Sequence, residues 1–183
     1  KVFPKTIYEH PYMRCSGFSE KSLKNISFPC YSQVKMDGLY VDVAVDYDGN
    51  VKCYTRSGQD VTHYLRETDI SNLSSLDKAG VVLQGEVLVR SEDNSATYLD
   101  RKTGNGYLNS DDVDPNRLEF VIWDCVEYDA WYQHDTCNII YLNRLKDASN
   151  IIKDLTDSFT LISTTKCNNA DDIMTHFKTC RLA

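Results

Sequence analysis

Tyr31-Ser-Gln-Val-Lys-Met-Asp-Gly-Leu-Tyr40 sets one lysine between an apolar-alternating run and an Asp-Gly pair. The residues on either side, 34–36 and 39–45, read as strand, which puts Lys35 at or near a strand end. There a side chain can face a cleft while its backbone stays paired. Taken alone, the lysine reads equally well as a solvated residue beside a turn. Working outward, residues 30–36 and 39–46 alternate with a period of two. Tyr47-Asp-Gly-Asn50 is a hairpin turn, and Val51-Lys-Cys-Tyr-Thr-Arg56 is the returning strand. The pattern predicts an antiparallel meander with Lys35 near its start.

Further along, Ser57-Gly-Gln-Asp60 turns the chain. Asp60 or Thr62 is placed to cap a helical stretch that runs to Leu76, with Tyr64, Leu65, Ile70 and Leu73 as its apolar residues. Val81-Val-Leu-Gln-Gly-Glu-Val-Leu-Val89 is apolar on both faces and predicts a central strand. Residues 91–115 are polar and rich in Asn, Asp and Gly, and read as an excursion over the surface. Leu118-Glu-Phe-Val-Ile-Trp-Asp124 is a second buried-type strand. Leu142, Leu145, Ile151, Ile152 and Leu155 recur at helical spacing over 141–155. A strand is expected over 159–163 and a last helix over 170–180, capped by Asn168 or Asn169. A short helix is also expected within 18–26. The fold class is therefore α+β, with mainly antiparallel sheets flanked by helices.

The 183 residues suggest one domain. A composition of 42% hydrophobic and 26% charged residues is that of an ordinary soluble protein. No apolar run approaches the length of a membrane span, so no membrane partner is expected. No secretory leader is expected, and the chain, which opens on Lys1 rather than Met, is expected to be an internal piece of a longer protein. The seven cysteines, at 15, 30, 53, 125, 137, 167 and 180, form no Cys-x-x-Cys pair. They read as reduced, partly buried thiols of an intracellular protein. His10, His63, His134 and His176 lack metal-ligand spacing, and neither a Ser/His/Asp arrangement nor a Gly-rich phosphate loop is present. The net charge of −7 argues mildly against a nucleic-acid partner, because phosphate backbones favour Lys and Arg.

Lys35-Met36-Asp37-Gly38 resembles the K-x-D-G motif of the covalent nucleotidyltransferases, which include ATP-dependent DNA ligases, RNA ligases and mRNA capping enzymes. Further stretches follow in the order that superfamily requires. Thr55-Arg-Ser-Gly58 resembles its R-x-G element, Gln84-Gly-Glu-Val-Leu88 its DGELV strand, and Phe120-Val-Ile-Trp-Asp124 its aromatic-Asp strand. Asn105-Gly-Tyr-Leu-Asn109 resembles an insertion of T-even phage DNA ligases, as does the entry Phe28-Pro-Cys-Tyr-Ser-Gln-Val34. Each element has an ordinary alternative. Arg56 alone would be a solvated turn residue, Trp123 a core aromatic, and Asn105-Gly106 a surface turn. The ordered set carries the resemblance, which spans nearly the whole chain.

The resemblance implies a nucleotidyltransferase (adenylation) domain of the ATP-grasp-like DNA ligase type over residues 1–183, and a monomer. It implies ATP and Mg2+ as cofactors, and nicked double-stranded DNA as partner, in DNA replication, repair or recombination. Lys35 is implied as the nucleophile that takes up AMP from ATP and releases pyrophosphate. With a free pKa of about 10.4, roughly one lysine amine in 2,500 is neutral at pH 7, so burial or a nearby cation must assist. Glu86 is implied as the acceptor of a ribose hydrogen bond and a metal-facing carboxylate. Trp123 would stack on adenine, Arg56 would contact a phosphate near the break, and Asp37 would shape the turn and the approach of the nucleic acid.

Two departures stand out. Tyr40 occupies the position where most DNA ligases carry an arginine, and a phenol does not replace a guanidinium at a phosphate. The later lysine-bearing strands and the OB-fold domain are not in the chain, so the domain is expected to be incomplete at its C-terminal end. Apolar Val34 and the Asn105-Gly106 stretch favour a DNA over an RNA ligase. An RNA ligase or capping enzyme, and a non-catalytic nucleotide-binding remnant, are the alternatives.

Overall fold

In the computed structural model, residues 20–76, 80–93 and 97–182 are described. In chain order the elements are α1 (Glu20–Leu23), β1 (Cys30–Gln33), β2 (Leu39–Val45), β3 (Val51–Thr55) and a 3-10 turn (Thr62–Tyr64). Next come α2 (Glu67–Ser74), β4 (Val81–Val89), α3 (Arg101–Leu108), a second 3-10 turn (Pro115–Arg117) and β5 (Leu118–Glu127). The last are α4 (Tyr128–Gln133), α5 (Tyr141–Ile152), β6 (Phe159–Leu161), β7 (Thr164–Cys167) and α6 (Ala170–Leu182). The chain divides into two compact units. Among the described residues, one comprises 36–161, and the other 20–35 with 162–182.

The larger unit is built on a five-stranded sheet of order β3-β2-β4-β5-β6, antiparallel except where β6 joins β5 in parallel. Strand alternation sorts its residues. Val41, Val43 and Val45 of β2, Leu83, Val87 and Val89 of β4, and Phe120 and Ile122 of β5 enter one core, with Leu73 of α2 and with Ala148 and Ile151 of α5. Each such side chain taken from water contributes about 1.5–3 kcal/mol. The alternate residues Ala44, Tyr54 and Val82 form a smaller cluster on the other side with Tyr128 and Trp131 of α4. As its two apolar faces require, β4 lies at the centre of the sheet.

The register between β4 and β5 slips once. Gln84 faces Asp124, but Gly85 faces Ile122, so Trp123 is the extra residue of a β-bulge. Gly85 makes this possible, because a Cβ there would come within 2.5 Å of the Val121 carbonyl oxygen.

In the smaller unit β1 pairs antiparallel with β7, Cys30 opposite Cys167 and Gln33 opposite Thr164. Asn169 caps α6, accepting from the Asp172 N–H at 2.9 Å, while Asp172 accepts in return from the Asn168 N–H at 2.7 Å. Ser32 Oγ and His176 Nδ1 lie 2.7 Å apart.

The structure departs from the sequence pattern in several places. The strand expected to continue to Met36 ends at Gln33 and pairs with β7 rather than entering the meander. The helix expected up to Leu76 is a 3-10 turn followed by α2, because the backbone turns extended at Leu65 and Arg66. The polar stretch 91–115 contains α3, whose N-cap Asp100 accepts from the backbone of Lys102 and Thr103. Asn105 and Gly106 are therefore helical. The strand expected over 159–163 ends at Leu161 as β6, with β7 following at Thr164 in the other sheet, and α4 had no apolar period to announce it. Of the helix expected within 18–26, residues 20–23 form α1. Its first residues, like His10 and Cys15, lie outside the described residues.

Candidate active site

The turn into β2 is fastened from the next strand. The Gly38 N–H donates to Glu86 Oε2 at 2.6 Å, a short bond to a carboxylate. Only glycine fits at this position, since a Cβ on Gly38 would run into the Val87 carbonyl oxygen. Glu86 is half-buried, and its strand register sets it opposite Tyr40 of β2.

Tyr40 sits at the centre of the cluster. Its ring centroid is 5.9 Å from that of Trp123, with the planes at 46°. The guanidinium carbon of Arg56 lies 5.7 Å from the same ring, on the residue that follows β3. The Tyr40 hydroxyl donates to Asp42 Oδ1 at 2.7 Å and accepts from Gln84 Nε2 at 3.0 Å, and Gln84 Nε2 is also 3.0 Å from Asp42 Oδ1. Asp42 is wholly buried. Burial pushes its carboxyl up to about 6, against the opposing pull of Tyr40, Trp131 and Gln84.

Trp123 is half-buried. Its carbonyl accepts the Tyr141 hydroxyl at 2.8 Å. The adjacent Asp124 is held by Arg144 through two contacts, Nε to Oδ1 at 2.7 Å and Nη2 to Oδ2 at 2.9 Å. The bulge sets the position of the indole along the strand, and α5 anchors the backbone beneath it.

Of the residues singled out in the sequence, Arg56 and Trp123 are thus both neighbours of Tyr40, and Glu86 faces Tyr40 in the sheet. Asp37 is exposed and accepts from Arg101 Nη1 of α3 at 3.1 Å, a surface pair worth about 1 kcal/mol or less. Lys35 belongs to the smaller unit. It is exposed, in the irregular segment that follows β1, and precedes Gly38 by three positions in the chain. Sequence reasoning missed Asp42, Gln84 and Arg101 and left Tyr40 as a departure only. The available signal was a polar residue on each of two otherwise apolar strands, Asp42 among valines and Gln84 before Gly85.

Among the described residues no group of three or more His, Cys, Asp or Glu side chains could cage a metal ion. Mg2+ seldom needs such a cage. It commonly takes one or two carboxylates, with water and substrate phosphates completing its shell. The single Glu86 carboxylate fits that mode.

The chain is similar to known proteins in both sequence and fold. The sequence model of the ATP dependent DNA ligase domain matches residues 13–181. The DNA ligase of Enterobacteria phage T4 is 24% identical over 214 aligned residues, which cover 97% of this chain and 44% of the relative. The chain thus spans less than half the length of the curated relatives it matches. Among solved structures, the bacteriophage T7 ATP-dependent DNA ligase in complex with ATP superposes with a TM-score of 0.68 at 16% identity. That match covers 90% of this chain and 57% of the other. The Chlorella virus DNA ligase-adenylate does so with a TM-score of 0.59 at 12% identity, over 93% of this chain and 55% of the other. At such identities the likeness is one of fold.

Proposed function

This chain belongs to the ATP-dependent DNA ligase domain family, and from that premise we propose that it is the adenylation portion of an enzyme that seals nicks in duplex DNA. The observation that carries the reading is the bond from the Gly38 N–H to Glu86, which ties the lysine motif to the strand beside Tyr40 and Trp123.

In this reading the Lys35 amine attacks the α-phosphorus of ATP. A nitrogen–phosphorus bond forms, the bond to pyrophosphate breaks, and a lysyl-AMP results. AMP then passes to the 5′-phosphate at a nick, and the neighbouring 3′-hydroxyl displaces it to close the strand. The chain's own residues position these events. Glu86 accepts a hydrogen bond from the ribose while its carboxylate fixes the Gly38 turn. Trp123 offers its face to adenine, a contact worth about 1–3 kcal/mol. Arg56 presents a planar fork of donors to a phosphate. Asp37 keeps the turn after the lysine in register. Glu86 is also the residue that would hold Mg2+, which when bound offsets charge on the leaving phosphates.

The test is mass spectrometry of the full-length protein after incubation with ATP and Mg2+, beside Lys35→Ala. Wild type is expected to gain one AMP and the variant none. ATP is expected to serve and GTP not, and a nicked DNA duplex is expected to discharge the adduct. A wild-type protein that never gains AMP would sink the catalytic reading.

A further inference from the structure

Tyr40 is 7% exposed although its two aromatic and cationic neighbours, Trp123 and Arg56, reach toward solvent. Tyrosine buries readily when its hydroxyl finds partners. Here the hydroxyl has two, Asp42 and Gln84, and both are themselves buried. Burial and that pair of bonds hold the ring in place. A ring so fixed presents one face to the Arg56 guanidinium, 5.7 Å away, and leans at 46° on the Trp123 indole, 5.9 Å away. The two residues read as phosphate and base contacts therefore share one rigid neighbour.

We infer that Tyr40 is a positioning residue of this site: its buried ring, by its bulk and its face, aligns the Trp123 indole and the Arg56 guanidinium so that a bound nucleotide meets both at once. The inference rests on the reading that the site binds ATP. It gives the phenol a task that needs an aromatic body, and not merely a hydroxyl to satisfy Asp42. A cation over an aromatic face is attracted by the ring, and a tilted aromatic pair restricts the orientations open to both rings.

Two substitutions separate this role from a structural one. Tyr40→Phe and Tyr40→Leu both remove the bonds to Asp42 and Gln84, but only Phe keeps the ring. ATP with Mg2+ is titrated calorimetrically into full-length protein carrying Lys35→Ala, so that no covalent step intervenes. Tyr40→Phe is expected to hold ATP within about threefold of its parent, and Tyr40→Leu to lose about tenfold or more. Equal weakening by Phe and Leu would assign Tyr40 a structural role and overturn the inference, as would an unchanged affinity in Tyr40→Leu. If Tyr40→Leu fails to fold, Tyr40→Met supplies the same ring deletion with more volume. Adduct formation by wild type is the control: its absence brings down the functional reading, whereas an adduct with flat titrations removes the Tyr40 inference alone.

Discussion

At the scale of single residues, the buried carboxylate of Asp42 makes a prediction about pH. An unfolded aspartate titrates near 3.9, whereas burial raises Asp42 in the folded chain to about 6. The folded state therefore binds its proton more tightly. The stability this group contributes is fully present below about pH 3.9 and is lost as the pH rises through about 6. Other carboxylates oppose the trend, as Asp157 does, held low by its bond to Arg66. They are common to wild type and variant and cancel in the comparison. Between pH 4.5 and 7.5 the unfolding free energy of wild type is expected to fall by about 2 kcal/mol relative to Asp42→Asn. Chemical denaturation at the two pH values measures it, and a difference that stays constant would refute the shift. At this scale the sequence told much but not all. Lys35, Glu86 and Trp123 stand out because a motif fixes their order. Asp42 and Gln84 belong to no motif, and their pairing depends on a cross-strand register that a linear reading does not supply.

At the scale of elements, α5 and the bulge of β5 act together. Arg144 and Asp124 retain only 13% and 3% of their side-chain exposure, so each depends on the other. Removing one partner of such a pair strands a buried charge, at a cost of about 3–5 kcal/mol. Arg144→Met is expected to lower the unfolding free energy by an amount in that range. Adding Asp124→Asn, which keeps an acceptor for the Cys125 N–H, is expected to recover a good part of it. A double-mutant cycle from denaturation curves decides the matter, and a loss below about 1 kcal/mol in Arg144→Met would show that the pair does not hold the element. Long elements, β2 and α5 by their period and β4 and β5 by their continuous apolar runs, were legible from their side chains. The short ones were not. α3 is set by its Asp100 cap rather than by an apolar stripe, and β1 and β7 exist only because each finds the other far along the chain.

At the scale of the whole chain, the two units differ in what they bury. The larger has a core on both faces of its central strands. In the smaller, Ile162 and Cys167 are the buried hydrophobic residues among those described, and its sheet is a two-stranded ribbon. Such a ribbon is marginal without a broad apolar face to pack. Local opening should therefore cost less there than in the five-stranded sheet. Deuterium exchange read by mass spectrometry is expected to show the amides of β1 and β7 exchanging well before those of β2 and β4, with an opening free energy lower by about 2 kcal/mol or more. Similar protection in both would mean that the ribbon draws its stability from more than its own described contacts. The outcome bears on function, because the backbone of Lys35 continues directly from β1. Protection of β1 thus reports on the backbone that carries Lys35, the residue proposed as nucleophile. On formation of the lysyl-AMP proposed above, exchange at β1 is expected to slow while exchange in β4 does not change.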